Sequence, residues 1–394
     1  MATYLIKFKP IDPWFFGNEK SFAFPGSTAE SGYRVSYFAR SETLPSQSAI
    51  LGTLRYLMLP HKKAWKDYSE DEIKQNNDAV GKESFDIDYK PTESEPTQEF
   101  GCIKKISPVF IMKNDEILIP LPLVHNAKKS DDTSDKAENK KESESDNEKK
   151  KSIKTFKPFT DYHSINSCGG KKLYALDYEA KAGLIEGFVS LSKNSAGEHE
   201  IYPISDIIGS EERIGVNLKQ RKNGFFKKEY KYFKSSDYTF AAYAEIDDNK
   251  EKIESAIATM GQGKSTFAVE AVKTDNTIES FESNVVKNFL KESLPAICID
   301  GKSYTYYYCL SDTFVSGNPY ESTAFAATMT KDYRAFKTIS VDKDGKRGVV
   351  TKGAALHRML KAGSVIITEK GKEFTAENAN TEQTGFNCII NTEE

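Results

Sequence analysis

The amino-acid sequence predicts an α+β protein, on three observations. The alternating run Tyr4-Leu5-Ile6-Lys7-Phe8-Lys9 reads as an opening strand. Ile50, Leu51, Leu54, Leu57 and Met58 then fall on one face of a helix that starts near Pro45-Ser46-Gln47. Beyond position 213, strand-like and helix-like segments follow in the order β-β-α-β-α-β.

Each element has a local reason. The first strand runs into Ile11-Asp12-Pro13-Trp14-Phe15-Phe16-Gly17, and a polar loop follows. Ser46 or Ser48 can cap the first helical turn, and Gly52 would let the helix approach a sheet closely. A strand, a long loop and a sheet-packed helix are how a ferredoxin-like (RRM-like) domain begins. Arg213–Leu218 and Phe225–Tyr230 flank Asn223-Gly224, a strong hairpin signal. Tyr238–Ile246 reads as a strand. Asp247 or Asp248 caps a helix through Ile253, Ala256, Ile257 and Met260, closed by Gly261. Thr266–Val272 reads as a strand, Ile278–Leu290 as a helix, and Ile297–Leu310 and Val365–Thr368 as strands. These elements supply a second ferredoxin-like domain, so the chain divides into 1–200 and 201–394. Residues 156–192 give no legible order.

Composition narrows the class. A chain of 394 residues has room for two cores. Its apolar runs are far shorter than a membrane span, and its start lacks a basic segment followed by an apolar one. The expectation is a cytoplasmic protein with no membrane contact. Five cysteines without a CxxC pair argue against a disulfide framework or a zinc site, and no cofactor or metal is expected. The net charge of −3 hides segregation. Positions 67–99 carry eleven acidic residues against three lysines, and 66–98 reads as an acidic surface excursion. Positions 126–154 hold nine lysines, eight acids and almost nothing apolar, which predicts a disordered insertion. By contrast, 213–234 carries eight basic residues against Glu229, and 331–361 carries nine against three.

The basic hairpin is the strongest chemical signal. Lys219, Arg221, Lys222, Lys227, Lys228, Lys231 and Lys234 interleave with Phe225, Phe226, Tyr230, Tyr232 and Phe233. Cations for phosphates and aromatic faces for bases are what single-stranded RNA binding requires. The competing reading is an edge hairpin whose lysines prevent aggregation. Ala258-Thr259-Met260-Gly261-Gln262-Gly263-Lys264-Ser265-Thr266 ends like a phosphate-binding loop. Such a loop must open a helix, however, and a strand is predicted after this one. It therefore reads as a glycine-rich turn whose amides and Lys264 can still hold an RNA phosphate. Tyr304, Tyr306 and Tyr308 share one strand face, where core packing is the expected use. The five histidines are dispersed, and His163 and His357 are only nominal general-base candidates.

Several of these pieces occur in an order that resembles one family. They are Asp12–Gly17, the Pro45-Ser46-Gln47 to Leu51-Gly52-Thr53-Leu54-Arg55 helix, Glu212-Arg213-Ile214-Gly215-Val216, the Gly261–Lys264 loop and Lys361-Ala362-Gly363-Ser364-Val365. Together they resemble the third subunit of the Cmr complex, the type III-B CRISPR effector, within the RAMP superfamily. The resemblance implies two ferredoxin-like domains and a non-catalytic RNA-binding role in antiviral defense. It implies binding of the crRNA 5′ handle and contact with target RNA near the guide 5′ end. It also implies contact with the large palm-domain subunit and the backbone subunits. The candidate RNA contacts are then Ser46, Gln47, Arg55, Lys219, Arg221, Lys227, Lys228, Lys231, Gly261, Gln262, Lys264, Ser265, His357 and Arg358. The alternatives are the handle-capping subunit of a Csm complex and a crRNA-processing endoribonuclease of the same fold.

Overall fold

The computed structural model describes residues 1–23, 37–62, 67–82, 85–87, 89, 92–93, 97–126, 155–167, 170–178, 183–217, 224–248, 253–261, 264–315, 317–334, 336–338, 350–352, 355–377 and 379–393. The predicted opening strand spans Ala2–Pro10 and buries alternate residues: Ile6 and Phe8 are fully inside. It lies between Tyr238–Ile246 and Ser265–Thr274 and pairs antiparallel with both, so that Ile6 faces Ala242 on one side and Ala271 on the other. These strands form the centre of a nine-stranded sheet that extends through Phe110–Lys113, Glu116–Pro120, Gly187–Lys193 and His199–Pro203. Its other border is Ala256–Met260. Strand pairing thus crosses residue 200, which was the predicted division.

Both faces of this sheet are covered. On Tyr238–Ile246, Phe240 and Ala242 enter one core while Ala241 and Tyr243 enter another, as the two-residue period of a strand requires. The first core takes the helix Gln47–Leu57, through Ile50, Leu51, Leu54 and Leu57. The second takes Phe281 and Leu290 from a π-helical stretch, Ser280–Val286, that continues as the helix Lys287–Ser293. It also takes Tyr306, Tyr308, Val365 and Ile367 from a C-terminal sheet. That sheet centres on Lys302–Cys309, which pairs with Val365–Glu369 and Ile389–Asn391. The fold is α+β, with mostly antiparallel sheets and few helices.

Three expectations need correction. The helix predicted to end at Gly261 is absent: Ala256–Met260 is a strand paired with Ser265–Thr274. Ile253, Ala256, Ile257 and Met260 have helical spacing, but the burial follows a period of two, with Ala258 and Met260 inside and Ile257 exposed. Gly52 faces outward with nothing near it, so the close approach of the helix owes nothing to that glycine. The acidic excursion contains the helix Glu70–Val80, started by a Ser69–Glu72 capping box and inserting Ala79 and Val80 into the first core. The hairpin keeps one edge, because Ile208–Asn217 is the outer strand of a four-stranded sheet. Its strands, Ile208–Asn217 and Gly224–Phe233, pair as predicted, but Tyr37–Ser41 runs parallel along the second and Gly17–Ala23 follows outside it.

The predicted insertion lies outside the described residues except for Asn126. Its base is held together: the Asn126 N–H donates to the Lys157 carbonyl at 2.7 Å, and His125 bridges to Pro158.

Candidate nucleic-acid interface

The segment Trp14-Phe15-Phe16 joins three of the sequence motifs. Trp14 exchanges two backbone hydrogen bonds with Lys231, at 2.8 and 2.9 Å. The Phe15 N–H donates to the Ser265 hydroxyl at 3.0 Å, and the Phe16 N–H to the Ser41 hydroxyl at 2.9 Å. Trp14 is fully buried between Phe233 and Phe240, so the root of the hairpin is fixed to the central sheet. The turn after Met260 is held against the same segment. Gly261 has φ +74°, and a Cβ there would lie 3.0 Å from the Phe16 ring and 3.2 Å from the Phe15 carbonyl. Of the candidates, Lys228, Lys231, Gly261 and Ser265 are therefore brought together. Lys264, at φ +50°, is exposed beside them.

Each face of the hairpin carries its own charge pattern. On one, Lys228 lies 4.9 Å over the Phe15 ring and Arg213 lies 4.6 Å over Tyr230, while Arg213 also pairs with Glu211 at 2.6 Å. On the other, Lys227 pairs with Glu212 and lies 5.4 Å over Phe38, and Arg40 pairs with Glu229 at 3.6 Å. Lys231 is largely buried and donates to the Thr43 hydroxyl at 3.2 Å; burial pulls its pKa down. A window beginning at Arg213 leaves out Glu211 and Glu212. Including them, 211–234 carries eight basic and three acidic residues, a net +5 rather than +7. Cations stacked on aromatic rings keep their charge available to a phosphate while their direction is set.

Other candidates have structural partners. Ser46 caps the helix by accepting from the Ala49 N–H at 3.2 Å. Gln47 is buried, and its Nε2 donates to the Ser107 carbonyl at 2.9 Å. Arg55 points away from the hairpin group, donating to the Gly81 carbonyl at 2.9 Å and covering Phe100; burial lowers its pKa. His357 packs edge-on against Phe314, and Arg358 beside it is exposed. Their strand pairs Tyr333 with His357, and the Tyr333 hydroxyl reaches the Ser48 hydroxyl at 3.2 Å, which places it near the start of the helix. Lys219, Arg221 and Gln262 lie outside the described residues. Phe15, Phe38 and Arg40 were not among the candidates, although Phe15 stands inside a motif the sequence had singled out.

Residues 6–387 match the sequence model of the family described as CRISPR-associated protein (Cas_Cmr3). The chain belongs to the Cas_Cmr3 family. That membership separates it from the Csm alternative. No curated protein sequence matches it. Among solved structures, this Cmr3-family chain is similar to a chain of the Type III-B Cmr-beta bound to cognate target RNA, with 15% identity, a TM-score of 0.39, and coverage of 93% of this chain and 86% of that one. It is also similar to a chain of the same assembly bound to cognate target RNA and AMPPnP, state 1, with 14% identity, a TM-score of 0.37 and the same coverage. Among the described residues, no group of three or more His, Cys, Asp or Glu side chains is placed to hold a metal ion, and no helix is long and apolar enough to cross a membrane.

Proposed function

We propose that this chain is a non-catalytic RNA-binding subunit of a type III-B RNA-guided effector complex. In this reading it binds and caps the crRNA 5′ handle, bridges the large palm-domain subunit to the backbone, and contacts target RNA near the guide 5′ end. It works in the cytoplasm, and its two halves are ferredoxin-like. The carrying observation is the convergence of the hairpin root and the 261–265 turn on Trp14-Phe15-Phe16. That convergence puts Lys228, Arg213 and Lys264 on one rigid support, and rigid cations beside aromatic faces suit an irregular single strand. Family membership supports the choice of assembly.

The test is binding of repeat-derived RNA at several salt concentrations, with and without the native handle. Arg213→Ala, Lys228→Ala and Lys264→Ala together should weaken binding to all sequences and flatten the salt slope by about one unit or less per lost contact. Lys231 is excluded because it is held by Thr43. Unchanged affinity of the triple variant at low salt overturns the interface. Specific cutting of repeat RNA by the purified chain overturns the non-catalytic reading.

A further inference from the structure

The two faces of the basic hairpin are built from the same parts and differ in their acids. On one face Lys228 lies over Phe15 and Arg213 over Tyr230, and Glu211 pairs with Arg213. On the other, Lys227 and Arg40 lie 5.4 and 5.2 Å over a single ring, that of Phe38. Here each cation has a carboxylate of its own: Lys227 pairs with Glu212, and Arg40 with Glu229 at 3.6 Å. Among the described residues, two cations against one acid leave +1 on the Phe15 face, and two against two leave zero on the Phe38 face. The remaining cation of the Phe38 face, Lys231, is held at the root by the Thr43 hydroxyl, with Glu229 and Glu42 acting on it.

The fold does not account for these acids. Glu212 stands directly opposite Glu229 in the antiparallel register, and like charges facing each other across a strand pair are destabilising. The pairs that hold them involve the exposed side chains of Glu212 and Arg40, and ion pairs in water add little stability. An aromatic ring flanked by two cations is, by contrast, a ready platform for a base and its phosphates, whatever the sequence. Without Glu212 and Glu229, the Phe38 face would offer RNA the same chemistry as the Phe15 face.

We propose that Glu212 and Glu229 are specificity-determining residues that close the Phe38 face to RNA by occupying Lys227 and Arg40. A phosphate that approaches this face must displace one carboxylate and meets repulsion from the other, so a strand is confined to the side of Lys228 and Arg213. An unrelated RNA, which takes any cation on offer, loses most by this. The inference rests on the RNA-binding reading above and adds to it a surface from which RNA is excluded.

The experiment compares binding of the full chain to repeat-derived RNA carrying its native handle and to an unrelated single strand of equal length, at several salt concentrations. Glu212→Gln with Glu229→Gln keeps the side-chain shapes and releases both cations. It should tighten the unrelated RNA about ten-fold at low salt and steepen its salt slope by roughly one unit, the scale of two added phosphate contacts on a single strand. The handle RNA should gain much less, so that discrimination between the two falls. Lys227→Ala added to the double variant should take back part of the gain, because it removes one of the released cations. Unchanged affinity for the unrelated RNA overturns the proposal while binding to the handle stands. An equal rise for both RNAs also overturns it, since the acids would then weaken binding without selecting. Failure of the wild type to bind either RNA removes both readings. If the double variant does not fold, Glu212→Gln alone, at an exposed position, carries the test: no rise for the unrelated RNA overturns the proposal.

Discussion

Ser265 shows how a residue can be important for a reason other than the one its motif suggests. In sequence it completes a phosphate-loop ending, but its hydroxyl is buried and accepts the Phe15 N–H. Ser265→Ala leaves that amide unsatisfied and should cost about 1–3 kcal/mol in urea unfolding, with the RNA salt slope unchanged. Gln47 and Arg55 share this lesson. The sequence marked them as special, yet their polar groups bind Ser107 and Gly81 inside the protein, contacts no one-dimensional pattern reveals. His125 carries a pH prediction. Burial lowers its pKa from 6.5 to about 4, and its Nδ1 accepts the Lys157 N–H, a bond that only an unprotonated Nδ1 makes. The unfolded chain therefore binds the extra proton between those values. Stability should be complete above pH 6.5 and fall by up to about 3 kcal/mol as the pH drops to 4. His199, also lowered by burial, acts in the same direction. Denaturation midpoints for wild type and His125→Gln across this range check the assignment: the variant should lose part of the slope.

Elements with a strong period were legible, and those with an ambiguous one were not. Tyr238–Ile246 and the helix Gln47–Leu57 match their apolar patterns because each presents one or two faces to a core. Ala256–Met260 is short, and its spacing also satisfies a helix; only its pairing with Ser265–Thr274 decides. The outcome also bears on nucleotides. The turn is entered and left by strands, so no helix N-terminus faces an anion there. Calorimetric titration with ATP or GTP should show no binding that depends on Lys264, and stoichiometric binding abolished by Lys264→Ala would contradict this. Deletion of residues 127–154, bridged by a short Gly/Ser linker, should leave the thermal midpoint within a few degrees. The Asn126–Lys157 hydrogen bond and the His125–Pro158 bridge already bring the two ends together. A large drop would assign that segment a part in the fold.

For the whole molecule, the α+β class was legible, and the meeting of the two halves was not. Such contacts join residues hundreds of positions apart, where periodicity carries no information. Lys361-Ala362-Gly363-Ser364-Val365 is such a joint. The Leu123 N–H donates to the Gly363 carbonyl at 2.9 Å, Gly363 donates to Cys309 at 2.8 Å, and Ser364 is fully buried against Met329. The Tyr308 hydroxyl crosses the same boundary to the Pro120 carbonyl at 2.5 Å. Gly363 has φ +93°, and a Cβ would lie 2.8 Å from the Leu121 carbonyl. Gly363→Ala should therefore destabilise by about 1–3 kcal/mol. It should shift one cooperative transition seen by both far-UV and tyrosine signals; two separated transitions would show that the halves melt independently.

The place of Ala2–Pro10 at the middle of the large sheet has a consequence for biosynthesis. It leaves the ribosome long before its partners, because both of its neighbours lie beyond residue 237. During most of translation this apolar, alternating segment has two unsatisfied edges and the sequence character of an aggregation-prone strand. A nascent chain stalled before Tyr238 should consequently hold the segment accessible to protease or chaperone, and one stalled well past Thr274 should not. A strand paired along both edges in the finished protein is thus a vulnerable one while the chain is being made.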